Sequence, residues 1–279
     1  INGEYFEHHS RILNYWKGHW VRHPAQCNLY GLPSDVIENT ILDFVDAQQN
    51  QSEIENYADW CYQSLGRTFS EEFTFRYTRK YWTTEASTMS VDWVKERMYP
   101  PSLRDVIRGA VSQHAEDHHY LSSFRYPKEG GFGSYLNTVD SDAELHLGQE
   151  VIGIDMKRNR LEFADGKEGF FERLVSSLPL PELVKMIKNV PAQVRDAAEK
   201  LRCSSLVLVS VGVERDEGFP DAHWIYFYDE DIIFSRAHSP HLLSPNNAPK
   251  GCGSIQVEVY HSDTRPLPTS DVLNKTMED

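Results

Sequence analysis

The chain has 279 residues, 40% of them hydrophobic and 25% charged, with a formal net charge of −14. That is the composition of a globular protein, long enough for one large domain or two smaller ones. The acidic balance argues against non-specific nucleic-acid binding and against docking on anionic membranes, and no apolar run is long enough to span a bilayer.

Aromatic residues make up 12%, with 6 Trp and 14 Tyr, which suits a large core and a pocket that stacks on rings. Cys27, Cys61, Cys203 and Cys252 lie far apart with no CxxC pair. They read as reduced thiols of a cytoplasmic protein, not as a disulfide frame or a zinc site. Without a signal peptide or an initiator Met, the chain reads as cut at both ends, and a piece of a longer protein is expected.

Residues 11–23 read as a hairpin, Arg11–Trp16 and His19–His23 flanking the turn Lys17-Gly18. From Pro33 the pattern is helical, with Asp35 and Glu38 as a capping box. A second helix is predicted to open at Ser52, with Glu55 as box partner, and to end at Gly66. Thr68–Trp82 reads as an aromatic helix, and Ser90–Arg97 and Ser102–Val111 as two shorter ones separated by Pro100-Pro101. Phe124–Pro127 is an extended approach to the turn Gly130-Gly131-Phe132-Gly133, and Ser134–Thr138 should start a short helix.

The period then changes to two. Glu150–Met156 and Arg160–Ala164 read as a hairpin closed by Lys157–Asn159, and Glu172–Ser177 as another strand. Helices are predicted over Glu182–Lys188 and Ala192–Leu201. Ser204–Val213, Trp224–Tyr228, Ile232–Arg236 and Ser254–Tyr260 read as strands, and the early hairpin and these late strands can share one sheet.

Several constellations bear on chemistry. Glycines let a backbone approach a ligand closely, and a helix start favours an anion, so Gly130–Gly133 beside Arg125 is either an anion or cofactor approach or a plain turn. His114 and His118 lie one helical turn apart, but Ala115 stands where the zincin pattern needs Glu. They read as a solvated helix end, and no metal site is expected. Arg236, at the end of an apolar strand, needs an internal acid or a ligand. Trp224 and Tyr226 share one strand face, as a stacking wall or as core. There is no GxSxG elbow, P-loop or GxGxxG.

Taken in order, several stretches resemble one family. They are Trp20–Leu29, Tyr77–Trp82, Phe124–Leu136, Asp155–Pro181, Trp224–Phe227 and Phe234–Lys250 with Ser244-Pro245-Asn246-Asn247. Together they resemble the UDP-galactopyranose mutases, especially the eukaryotic type, within the wider amine-oxidase and protoporphyrinogen-oxidase-like flavoproteins. The resemblance implies a mixed α/β or α+β fold: a helical lobe plus an antiparallel sheet, as part of a flavoprotein fold. It divides the chain into a hairpin joining the substrate-domain sheet (1–32), a helical lobe (33–120) and a partial FAD-facing region (121–203). The substrate-domain sheet (204–265) and a polar tail (266–279) follow.

The resemblance also assigns roles. Arg125 and Arg236 match arginines that contact the substrate pyrophosphate, and two guanidinium groups on a diphosphate make chemical sense. Gln26 matches a residue near the uracil, and Asn28 of the same loop is counted with it as substrate-binding. Trp224 and Tyr226 match the substrate channel. Gly130, Gly131 and Gly133 match glycines near the flavin, and Val151 a strand position that meets the FAD adenine. The mutases flank the uracil-loop proline with aromatics; here those positions are His23 and Ala25. The upstream GxGxxG and the C-terminal flavin segment are absent from this stretch. The implied function is therefore the substrate-binding portion of an FAD-dependent oxidoreductase or mutase acting on a nucleotide-sugar or glycan precursor, FAD belonging to the intact protein. This piece alone is expected to be inactive and to bind FAD poorly or not at all. The partner is a small molecule such as a UDP-sugar. The alternatives are an amine-oxidase-like or desaturase-like oxidase with a non-nucleotide substrate, and a noncatalytic binding module.

Overall fold

The computed structural model describes residues 4–94, 97–113, 122–138, 144–214, 220–268 and 270–279. The predicted pair of helical histidines, His114 and His118, lies outside the described residues. Strand β1 (Tyr5–His9) is followed by β2 (Ile12–Trp16) and β3 (His19–Arg22), which form the expected hairpin. Lys17 and Gly18 take positive φ of 46° and 83° to close it.

Helix α1 (Ser34–Gln49) starts directly after Pro33 with no side-chain cap, so the predicted Asp35–Glu38 box does not form. Helix α2 (Tyr57–Leu65) opens five residues later than predicted, with Asn56 and Asp59 as its capping box. The physical reason lies in burial. Residues 51–55 are exposed, whereas Tyr57, Ala58 and Cys61 enter the core, so only from Tyr57 onward does a helix bury an apolar face.

Gly66 ends α2 with φ 79°, and a Cβ there would fall 2.7 Å from Phe44 N. The aromatic segment follows as α3 (Arg67–Phe69), a π turn over Ser70–Thr74 and α4 (Phe75–Tyr81). Asp43 of α1 caps its start, accepting from Thr68 N at 2.7 Å and Thr68 Oγ1 at 2.6 Å. The helix predicted over 90–97 is a run of turns in its described residues. Helix α5 (Leu103–Val111) stands as predicted, capped by Ser102 and Asp105.

Strand β4 (Ser123–Pro127) pairs with β1 across more than a hundred residues, a ribbon with no local sequence signal. A 3₁₀ segment, Phe132–Thr138, replaces the predicted short helix. Next come β5 (Val151–Asp155), β6 (Arg160–Phe163) and β7 (Glu168–Phe170) as a three-stranded antiparallel sheet. The strand predicted over 172–177 is irregular, and the third strand lies earlier, at β7. The tight turn around Gly166 (φ 83°) folds β7 straight back onto β6. Helices α6 (Leu180–Met186) and α7 (Ala192–Lys200) complete this region.

The remaining elements are β8 (Ser205–Val213), β9 (Trp224–Phe227), β10 (Arg236–His238), α8 (Pro240–Leu243), β11 (Gly253–His261) and α9 (Val272–Glu278). Residues 232–235 do not form the predicted strand. Phe234 is buried against Phe227, Ser235 bonds Glu258 O, and pairing begins only at Arg236. Residues 266–279, read as a polar tail, contain α9, which buries Val272 in the core.

The chain forms two compact units, residues 1–139 with 204–279, and residues 140–203. In the larger unit the early hairpin and the late strands do share a sheet, in the order β3-β2-β9-β10-β11-β8. Its pairs are antiparallel except β2 with β9, which run parallel. About two hundred residues separate those two strands, so no tight turn dictates their direction.

One sheet face carries Leu13, Ile225, Ala237, Val257 and Val209 into an apolar core with Val272. The other face carries Trp16, Val21 and Tyr228 against Phe44, Leu65, Phe69 and Phe73 of the helices. Among the described residues, no helix is long and apolar enough to cross a membrane.

Candidate functional site

A cavity of about 540 Å³ opens in the larger unit where the helices meet the second sheet face. Helical spacing places Tyr77, Thr78 and Tyr81 of α4 on one wall. Strand alternation places Tyr226 of β9, and Tyr228 just beyond its end, on another. Tyr57 and Trp93 close the back, the segment Arg97–Pro100 forms a rim, and His23, Pro24 and Gln26 form a third wall.

Ring packing holds these walls. Tyr77 stacks on Tyr81 at 5.4 Å and stands edge-on to Tyr226 at 5.4 Å. His23 lies against Tyr226 at 5.0 Å, and Tyr57 against Trp93 at 4.9 Å. Beneath them Asn14, fully buried, donates to Arg22 O at 3.1 Å. Its Oδ1 then accepts from Tyr228 OH at 3.3 Å and from His23 Nδ1 at 3.1 Å. That network assigns the proton of His23 to Nδ1. Burial raises Tyr77 and Tyr228 well above the usual phenol range, with Tyr226 adding to both, so the walls stay uncharged. The cavity therefore offers flat aromatic faces and neutral phenol tips, with the charged Arg97 on its rim, a setting for a planar ring with hydrogen-bonding edges.

The sequence-predicted residues fall into three places. Gln26 and Tyr226 line the cavity, Gln26 donating to Tyr99 O at 3.2 Å. Arg236 is the cross-strand partner of Tyr226. Of the two possibilities open for it, the structure shows the internal acid. Glu258 accepts from Arg236 Nε through both oxygens at 3.0 Å and from Nη2 at 2.7 Å. Burial works against the Arg236 charge, but these bonds and the Glu258 charge outweigh it, and its pKa rises. Tyr77 and Tyr226 lie close enough to contribute, so the guanidinium adjoins the cavity wall.

Asn28 is buried behind the loop, donating to Pro24 O at 2.9 Å, and is not a cavity wall. Trp224 is half-buried, edge-on to Phe124 at 5.0 Å and outside the cavity.

Arg125 sits on β4, largely exposed, with Nε donating to Glu7 at 3.2 Å and its guanidinium over Tyr5 at 4.6 Å. No interaction among the described residues joins it to Arg236. Gly130 and Gly131 have φ of 77° and 65°, and Ser134 closes the turn by donating to Gly131 O at 2.8 Å. At Gly133 a Cβ would meet nothing within 4 Å. The Ser244–Asn247 loop docks on this stretch: Ser244 Oγ donates to Lys128 O at 2.7 Å and Asn247 Nδ2 to Tyr126 OH at 3.3 Å. Two stretches of the resemblance, far apart in sequence, are thus in contact. Val151 opens β5 opposite Phe163, in the smaller unit.

Sequence reasoning missed Tyr57, Tyr77, Tyr81, Trp93, Tyr99 and Tyr228 as site residues. The i, i+4 spacing of Tyr77 and Tyr81, and Tyr228 two residues beyond Tyr226, were available signals. Trp93 and Tyr99 lie in irregular chain without one.

No family model matches the sequence. Among solved structures, a reduced UDP-galactopyranose mutase is 23% identical with a TM-score of 0.89, over 98% of this chain and 62% of that one. A protein of Exiguobacterium sp. 255-15, provisionally classed as a protoporphyrinogen oxidase, is 13% identical with a TM-score of 0.67, over 98% and 64%. An oxidoreductase from Methanosarcina mazei is 14% identical with a TM-score of 0.59, over 98% and 63%. The chain spans less than two thirds of the length of each of these proteins. At such identities the likeness concerns the fold, and the chain has an α+β fold that is part of the flavoprotein fold of these structures.

Proposed function

We propose that the chain is the substrate-binding portion of an FAD-dependent oxidoreductase or mutase whose substrate is a nucleotide-sugar. The observation that carries this reading is the aromatic cavity beside Arg236, on a sheet framework like that of a UDP-galactopyranose mutase. The cavity takes the base between its tyrosine faces, with Gln26 at its edge. Arg236 meets the diphosphate beside Tyr226, with Glu258 fixing the plane of its fork. Arg125, on the exposed ribbon, is the second candidate for that diphosphate.

The described residues also fit a flat cofactor. The open space at Gly133 and the exposed Phe132 and Leu136 beside it suit a ring resting on the turn Gly130–Ser134. FAD bound in the intact protein would supply the redox chemistry, and the residues of this chain would bind and orient the substrate. Val151 remains the candidate for the adenine end.

Titration of the chain with UDP, followed by tryptophan fluorescence and calorimetry, tests the reading. Saturable one-to-one binding is expected, weakened by Tyr226→Ala and by Arg236→Met. Absence of UDP binding overturns it. That outcome favours the oxidase reading with a non-nucleotide substrate, which is also favoured by His23 and Ala25 standing where the mutases carry aromatics.

A further inference from the structure

Helix α4 lines the cavity with Tyr77, Thr78 and Tyr81, and between them it carries two basic residues, Arg79 and Lys80, outside the cavity lining. Both reach the turn that joins β9 to β10. Arg79 donates to the Glu230 carboxylate through Nε at 2.8 Å and through Nη2 at 3.0 Å. Lys80 Nζ donates to the backbone oxygen of Asp229 at 2.6 Å. The turn begins directly after Tyr228, a cavity wall, and ends at Arg236, the first residue of β10.

The two contacts differ in kind. Arg79 and Glu230 are partly exposed, and a pair of that sort contributes little. Lys80 is only 2% exposed, a degree of burial that lysines almost never reach. Burial, then the Arg265 charge, pull its pKa down from 10.5 to about 7, and the charges of Asp229, Glu230 and Asp231 offset this only in part. The amine bonds a neutral carbonyl. The Asp229 carboxylate is engaged elsewhere, accepting from Lys17 N through Oδ1 at 3.0 Å and Oδ2 at 2.8 Å.

A desolvated amine in this setting costs stability, and a methionine would fill the same space without that cost. What the amine supplies is a link. One bond joins the helix of the first aromatic wall to the turn that follows the second, and Asp229 carries the link on to the β2–β3 hairpin at Lys17. Tyr228 is tied to the same hairpin, its N–H donating to Tyr15 O at 3.1 Å.

We infer that Lys80 is a positioning residue of the cavity. Its amine–carbonyl bond holds Tyr228, and the start of β10 at Arg236, at a fixed distance from the wall that carries Tyr77 and Tyr81. The inference goes beyond the nucleotide-sugar reading, because it concerns the cavity itself and applies to any ring that the walls enclose.

Hydrogen exchange at pH 6 read by mass spectrometry, with urea unfolding alongside, tests it on the wild-type chain, Lys80→Met and Lys80→Gln. In Lys80→Met the amides of residues 224–238 should exchange roughly tenfold faster, the worth of one net hydrogen bond. Those of α2 and β8 should keep the wild-type rate. The urea midpoint should not fall, because methionine relieves the desolvated charge. UDP affinity should drop by a similar factor. Lys80→Gln, which keeps a donor on a shorter side chain, should recover part of the protection, and it carries the test if Lys80→Met does not fold. A lower urea midpoint with faster exchange throughout the chain would mark Lys80 as a prop for the whole fold, and unchanged exchange over 224–238 would mean that it positions nothing. Either result overturns the inference. If the wild type does not bind UDP, the nucleotide reading falls, and exchange alone decides the role of Lys80.

Discussion

Replacing Glu258 with alanine strips Arg236 of three hydrogen bonds at once and leaves the Tyr260 hydroxyl without its 2.8 Å acceptor. The side chain of Glu258 is 8% exposed and that of Arg236 28%. Breaking a buried ion pair from one side costs about 3–5 kcal/mol, because the remaining charge stays desolvated. Arg236 keeps some access to water, which places its share near the lower end, about 3 kcal/mol. The stranded Tyr260 hydroxyl adds about 1 kcal/mol. A loss of about 3–4 kcal/mol is therefore expected for Glu258→Ala in urea unfolding followed by tryptophan fluorescence. The double change Arg236→Met with Glu258→Leu should recover most of that loss, since apolar side chains of similar volume replace a buried pair at little cost. It should not recover UDP binding, which separates the part Arg236 plays in the fold from its part in the site. A loss below about 1 kcal/mol for Glu258→Ala is the behaviour of a solvated surface pair, and it would refute the picture of a desolvated guanidinium on the sheet floor.

Two further perturbations probe other parts of the molecule. His223 is fully buried, its Nδ1 accepting from Arg11 N at 3.1 Å, and burial first, then the Arg11 charge and His8, lower its pKa from 6.5 to about 4. Its folded-state pKa is depressed, so the stabilisation it gives is complete above pH 6.5 and is lost as pH falls through 4. The urea midpoint should drop across that window by more in the wild type than in His223→Gln, and parallel pH profiles would contradict the assignment. At Gly109 a Cβ would lie 2.0 Å from Cys27 O and 2.9 Å from Asn28 N, both backbone atoms that cannot swing aside. Gly109→Ala should cost about 1–3 kcal/mol. It should also weaken UDP binding by shifting the loop that carries Gln26, and a thermal melt matching the wild type would show that the contact relaxes freely.

Much of the fold was legible where local pattern and burial agree. The Lys17-Gly18 turn, the apolar run of β8 and the strand holding Trp224 and Tyr226 are each written in a few adjacent residues. Reading failed where a local signal had no tertiary partner, or where a tertiary partner had no local signal. Ser52 and Glu55 have capping-box spacing, but a helix there would bury nothing, and Asn56 with Asp59 caps instead. The Ile232–Phe234 run looks like a strand, yet Ile232 and Ile233 pack on the second core and Asp279 binds Ile233 N, so the chain turns there. The β1–β4 ribbon depends on pairing across more than a hundred residues, which no window of sequence displays.

The candidate site divides in the same way. Sequence alone determined which chemistry was available: an aromatic-rich chain, arginines at 125 and 236, glycines at 130, 131 and 133, and the order of motifs that pointed to a flavoprotein fold. Only the tertiary structure decided which of these residues meet. It set Tyr77, Tyr81, Tyr226 and Tyr228 around one cavity and locked Arg236 to Glu258. The reason is physical. A side chain's type follows from the sequence, but its neighbours follow from strand register and helix packing. Here register joins β2, β9, β10 and β11 across up to about 250 residues of chain.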